Sequence, residues 1–267
     1  MVQFYSDIPD FLIPWIRAQK MFWVATAPLS PTGHINVSPK GYEGTFNIVD
    51  RRTVWYEDLS GSGVETIAHV RENGRITIMF CAFEGAPRIT RLFGRGTVHE
   101  FGTPEYESLI PVDKRQPGSR SVIMLDVYKV SSSCGYAVPL YTFKAHRLKL
   151  KELAARKEDE DISASANCHP SEAEPPRPEK GLKYYWKLKN TQSLDGLPGV
   201  LVGPDSTRRF EKREGLVIRG DKASVCISGT TKGWGLKSLG EVCNFKVLIA
   251  FSLGVGLSAA WTKFART

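Results

Sequence analysis

Cysteine is scarce in this chain and shows no paired pattern. The five present (Cys81, Cys134, Cys168, Cys226 and Cys243) are odd in number and form no CxxC. That excludes a zinc ribbon, argues against a disulfide framework and points to a reducing compartment. The five histidines (34, 69, 99, 146, 169) show neither HxH nor HxxxH spacing, so a metal site has no support. There is no GxxxxGK[ST] loop, no GxGxxG after a strand and no GxSxG elbow. A Walker site, a dinucleotide fold and a hydrolase elbow are thereby excluded. No RNP-type aromatic motif, KH loop or zinc finger occurs either, so no nucleic-acid partner is expected. No secretory signal is expected either, because Asp7, Pro9, Asp10 and Pro14 interrupt the apolar N-terminus. Ile8 to Ala18 instead predicts a short amphipathic helix.

Long apolar runs are represented once. Val247 to Trp261 is an uncharged run of 15 residues bounded by Lys246 and Lys263. With Thr262 it would rise about 24 Å as a helix, short of a ~30 Å hydrocarbon core. Snorkelling lysines and Trp261 narrow that gap. Two alternatives stand: a membrane tail anchor over residues 247–262, or a buried core helix. The expected location is accordingly cytoplasmic, or membrane-tethered facing the cytosol.

What the chain does contain is an ordinary globular composition. Its 267 residues are 42% hydrophobic and 24% charged, with a net charge of +8. That permits one packed core and suits an anionic ligand or an acidic membrane surface without choosing between them. Residues 20–150 hold most of the ordered signal, within a barrel domain expected over 10–150. Met21 to Ala27, His34 to Val37, Thr53 to Tyr56, Arg75 to Phe80, Thr90 to Val98 and Ser121 to Val130 are short β-branched or aromatic runs separated by turn residues. This pattern predicts a mainly β barrel or sandwich. One helix is predicted over Thr66 to Glu72, with Asn73-Gly74 as its stop.

Residues 151–181 carry five basic and eight acidic side chains and few large apolar ones; a disordered acidic linker is expected there. Residues 182–200 resume with aromatics and return to the barrel. Residues 201–246 are polar and basic and are expected to be loosely structured.

Three sets of residues carry chemical interest. Gly61-Ser62-Gly63 follows a strand and opens a helix. Backbone N–H groups at such a start suit an anion, with Ser62 and Thr66 hydroxyls as further donors; an ordinary capped turn is the alternative. Strand alternation places Asn36, Ser38 and Lys40 on one face, an amide, a hydroxyl and an ammonium in a row. Pro39-Lys40-Gly41 is expected to break that strand; a solvated sheet face is the alternative. Arg88, Arg91 and Arg95 surround a predicted hairpin, as cofactor cations or as surface charge.

Taken together, FWVATAP (22–28), GHINVSPKGY (33–42), the 54–83 stretch beginning VWYEDLSGSG, RLFGRGTV (91–98), SCGYAVPLY (133–141) and KNTQSLDGLPGV (189–200) resemble the pyridoxamine 5′-phosphate oxidase-like family over roughly residues 10–200. The likeness is to a eukaryotic branch of that family rather than to the vitamin B6 enzyme itself. It implies a six-stranded antiparallel split β-barrel with a few flanking helices, a homodimer, and FMN (alternatively the deazaflavin F420, or no cofactor) bound in clefts between subunits. It implies that Val37, Ser38 and Lys40 lie beside the flavin ring or ribityl chain, with Asn36 a further hydrogen-bonding candidate. It also implies that Tyr56, Glu57 and Asp58 end the next flavin-contacting strand, and that Ser62, Gly63 and Thr66 meet the phosphate. Lys40 is the candidate for stabilising charge on reduced flavin.

Two positions depart from the vitamin B6 enzyme. Glu65-Thr66 stands where that enzyme has an Arg-Lys pair, so cations must come from Lys40, Arg88 or Arg91. SLDGLPG replaces its C-terminal substrate signature, so pyridoxine phosphate oxidation is not implied. The expected function is a flavin-dependent oxidoreductase of unknown small-molecule substrate. The alternative is a non-catalytic split-barrel binding or scaffold module, membrane-tethered or not.

Overall fold

The computed structural model describes residues 2–166 and 177–212. The 247–262 run and the basic region from 213 onward lie outside the described residues. Among the described residues, no helix is long and apolar enough to cross a membrane.

Among the described residues eight strands form one antiparallel sheet: β1 (Gln3–Tyr5), β2 (Met21–Thr26), β3 (Asn36–Gly41), β4 (Phe46–Ile48), β5 (Thr53–Leu59), β6 (Arg75–Cys81), β7 (Ile89–Glu100) and β8 (Ser119–Ser133). The path across it is β3-β2-β6-β7-β8-β5-β4, with β1 pairing β8 from the side. Six of these strands coincide with the six apolar runs; β1 and β4, three residues each, correct the expected count upward. The sheet curls on itself: β3 begins the path and β5 is its last strand but one, yet Lys40 Nζ of β3 lies 2.7 Å from Asp58 Oδ1 of β5.

Period-two alternation creates two cores. Inside the curl, Val24, Tyr56, Ile78, Phe80, Leu92, Ile123 and Leu125 are fully or almost fully buried. Phe22 meets Phe46, Tyr56 and Phe80 there, with centroids 5.1–5.7 Å apart. On the outer face of β8, Val122 joins Phe101, Tyr106, Leu182, Trp186 and Phe210. β3 does not break at Pro39 as expected. It runs on to Gly41, and a proline is tolerated because β3 lies at the sheet's end with β2 as its one strand partner.

Among the described residues five α-helices flank the sheet: α1 (Leu12–Ala18), α2 (Glu65–Asn73), α3 (Pro104–Leu109), α4 (Lys149–Ala166) and α5 (Leu182–Lys189). α2 stops where the sequence predicts. Gly74 takes the left-handed conformation (φ 70°) that glycine adopts without strain, and its N–H bonds the Val70 carbonyl.

The acidic linker is a second correction. Residues Lys149–Ala166 form a helix of 18 residues, whereas 167–176 lie outside the described residues. The buried stripe of α4 is Ala154, Glu158 and Asp161, and two of the three are acids. Glu158 Oε1 accepts from Arg115 Nη2 at 2.8 Å and from the Gly118 amide at 2.7 Å. Asp161 Oδ2 accepts the Leu182 and Lys183 amides at the start of α5. The helix is therefore docked by charge and capping, and apolar burial, on which the disorder expectation rested, is not what holds it.

Residues 201–212 are likewise docked rather than loose. The buried Glu100 carboxylate accepts the amides of Leu201, Val202 and Gly203 and pairs with Arg71. Phe210 stacks on Phe101 at 4.8 Å. Gly199 closes this segment onto α2: a Cβ there would strike the Asn190 carbonyl and stand 2.7 and 2.8 Å from the Val64 methyls. Gly199→Ala should therefore cost about 1–3 kcal/mol by overpacking, read as a lower denaturation midpoint at unchanged slope.

Candidate functional site

Where the curled sheet meets itself, β3, β5, the turn before α2 and the start of α4 enclose a cleft of about 330 Å³. Ordinary ligand sites run from roughly 300 to 1,000 Å³. Ser38 and Lys40 line one wall, and Ser62, Gly63 and Thr66 line the other, with Arg120 between them.

Asp58 is the keystone. It is fully buried; Oδ1 accepts from Lys40 Nζ at 2.7 Å and Oδ2 from Arg120 Nε at 2.8 Å. Burial pushes its carboxyl pKa up, but the facing charges of Arg120 and Lys40 more than offset this and hold it below the usual carboxylate range. Arg120, 3% exposed, also donates from Nη1 to the Gly63 carbonyl at 3.0 Å. One carboxylate thus holds two cations at the cleft wall.

Above it runs a neutral network. Asn36 Nδ2 donates to Thr26 Oγ1 at 3.1 Å and Thr66 Oγ1 at 3.0 Å, and Ser38 Oγ donates to Asn36 Oδ1 at 2.7 Å. Thr26 Oγ1 lies 3.0 Å from His69 Nδ1. His69 is buried, which lowers its pKa and favours the neutral ring. Of the predicted shared face of Asn36, Ser38 and Lys40, the last two line the cleft, and Asn36 does not line it but bonds Thr66, which does.

The other expected residues divide. Glu57 reaches the cleft, and its Oε1 also accepts the Gln116 amide at 2.7 Å. Tyr56 points into the barrel core beneath Lys40, whose Nζ stands 5.8 Å from the ring centroid. Burial, then the Asp58 charge, raises the Tyr56 hydroxyl well above its ordinary pKa. Val37, 61% exposed, faces outward by alternation and does not line the cleft. Arg88 and Arg91 do not line it either. Arg88 sits over the rings of Phe11 and Trp15 at 5.7 and 5.5 Å. Arg91 is on mid-sheet β7, where Leu92 takes the inward position and leaves Arg91 facing out. The cation that accompanies Lys40 is Arg120, which the sequence reading missed. A lone arginine opening a strand carries no motif. Leu150 of α4 was also missed, because most of the helix it belongs to lies in the segment 151–181 that read as a linker.

Among the described residues no group of three or more His, Cys, Asp or Glu could hold a metal ion. A curled antiparallel β-barrel with one cleft of ligand size, lined by Lys40, Arg120, Glu57, Glu65 and the helix-start turn, is the class of structure in hand.

Comparison with known proteins sharpens that class. The family profile described as Pyridoxamine 5′-phosphate oxidase matches residues 8–134. The Pyridoxamine 5′-phosphate oxidase family protein ustO of Aspergillus flavus is 38% identical over 209 residues, covering 74% of this chain and 77% of that protein. The chain belongs to the pyridoxamine 5′-phosphate oxidase family. Solved structures similar to it include HupZ of Group A Streptococcus (23% identity, TM-score 0.38, 46% of this chain and 91% of that one). An FMN-binding protein of Syntrophomonas wolfei (12%, TM-score 0.34, 45% and 81%) and an FAD-binding protein of Mesorhizobium loti (14%, TM-score 0.33, 49% and 96%) are also similar.

Proposed function

We propose that this chain binds FMN in the cleft and is a flavin-dependent oxidoreductase acting on a small-molecule substrate. The observation that carries this is the convergence of Lys40, Arg120 and the Ser62-Gly63 turn on one cleft of ligand size. The donor set fits the group. The amides of Ser62 and Gly63, with Thr66 and Arg120, suit a phosphate, while Ser38, Lys40 and Asn36 suit a polar ring edge or ribityl chain. The flavin, when bound, supplies two-electron chemistry by accepting hydride. The chain's own contribution is to orient the ring against β3, to exclude water behind the Asn36 network, and to hold the Lys40 ammonium where negative charge develops.

F420 shares the phosphate and ring-edge chemistry and is the alternative ligand. A second copy of the chain is the expected partner, and Ile35 and Val37 on the outward face of the β3 region are exposed apolar side chains for such a contact. The competing reading, a binding or scaffold module, is favoured by one observation: Asp58 already engages both cleft cations.

The deciding experiment is expression of the full chain and inspection of its absorbance. A yellow protein that releases FMN on denaturation, or takes up added FMN or F420 stoichiometrically, is the expected outcome. Colourless protein that takes up neither leaves the scaffold reading in place. Sedimentation of the same sample reads the dimer.

A further inference from the structure

The turn Gly61-Ser62-Gly63 has no regular structure of its own, and part of its support comes from α5. Trp186 is fully buried, and its indole N–H donates to Ser60 Oγ at 2.6 Å. Ser60 is fixed in turn, because its hydroxyl and amide both donate to the Gly118 carbonyl, at 2.5 and 2.7 Å. Asn190, four residues after Trp186 and so on the same side of the helix end, is also fully buried. Its Nδ2 donates to the Gly61 carbonyl at 3.0 Å. Further along, the Leu194 amide reaches Glu65 Oε1 at 3.3 Å. One short segment therefore grips the residue before the turn, the turn itself and the start of α2.

The grip has a direction. The peptides are trans, so the C=O and N–H of one peptide point opposite ways. Asn190 draws the Gly61 carbonyl toward α5, which aims the Ser62 N–H away from α5. Among the described residues the Ser62 and Gly63 amides have no protein acceptor, and both residues line the cleft, whereas Asn190 and Trp186 do not. Core packing alone would need neither polar group.

We propose that Trp186 and Asn190 are positioning residues: α5 latches the Gly61–Gly63 turn so that its free amides face the cleft and receive the phosphate of the ligand. The ligand's identity rests on the flavin reading above; the latch itself does not.

The test uses the full chain with Trp186→Phe and Asn190→Leu. Dissociation constants are measured for FMN and for riboflavin, which lacks the phosphate. Amide hydrogen exchange over residues 60–64 is measured on flavin-free protein. Each variant should weaken FMN about tenfold and riboflavin less than about twofold, since one oriented hydrogen-bond set is lost. Exchange at the Ser60 amide, which bonds the Gly118 carbonyl, should quicken about tenfold while the β7 and β8 amides stay protected. Equal weakening of FMN and riboflavin, or unchanged exchange at Ser60, overturns the latch. If the unmutated chain binds neither flavin, the flavin reading fails, and the exchange measurement still decides the latch. Should Asn190→Leu fail to fold, Asn190→Ser removes the same donor with less bulk.

Discussion

Replacing Asp58 with alanine should cost about 3–5 kcal/mol of stability, because it strands a buried cation. It should also abolish flavin uptake. Asp58 is fully buried and Arg120 nearly so, with Nε held 2.8 Å from the carboxylate. Removing the anion leaves a desolvated guanidinium facing a second cation, Lys40. Lys40→Met should be milder, since its side chain keeps 21% exposure and Arg120 still satisfies Asp58. The pH dependence follows from the sign of the shift. The folded-state pKa of Asp58 is depressed, so its contribution is fully present above the unfolded value of about 3.9 and is lost as pH falls through the folded value. Wild-type acid unfolding should therefore include a component absent from Asp58→Asn. Denaturation midpoints and an absorbance titration check the whole set. An Asp58→Ala protein as stable as wild type would remove the keystone role.

The second large effect runs in the favourable direction. Glu65→Lys should tighten FMN binding about ten- to a hundredfold, as a charge-assisted contact is worth roughly 1.5–3 kcal/mol. Glu65 lines the cleft in the first turn of α2 and folds back over Gly63, beside the amides offered to a phosphate. Its charge suits the helix dipole but opposes a phosphate dianion at the same place. The substitution removes that repulsion and supplies a cation. It should cost the helix about 0.3–1 kcal/mol, since a lysine at an N-terminus opposes the dipole. Riboflavin is the control. If riboflavin tightens as much as FMN, or FMN does not respond, the phosphate does not lie at the start of α2.

The strands were legible because alternation at period two survives in the sequence wherever one face is buried. That is why Asn36, Ser38 and Lys40 could be assigned a common face before any coordinates. β1 and β4 were not legible: three residues are too few to show a period. α4 was misread for a different reason. Its buried stripe uses Glu158 and Asp161 against Arg115 and the α5 amides, and hydropathy does not see a helix held by buried acids. Arg120 and Arg88 show the same limit from opposite sides. Both are single arginines near strand starts, yet one is drawn under the cleft by Asp58 while the other covers Phe11 and Trp15. Only the pairing of distant strands separates them.

Between β3 and β5 there is no strand ladder: Lys40 to Asp58 crosses the seam by side chains, and the 42–45 turn carries the chain from β3 to β4. A zip of amide bonds can part only by unravelling a strand. A clasp of this kind can spring and refasten with every strand still paired to its neighbour. The cleft wall at this seam therefore depends on an ion pair that strand pairing does not back up.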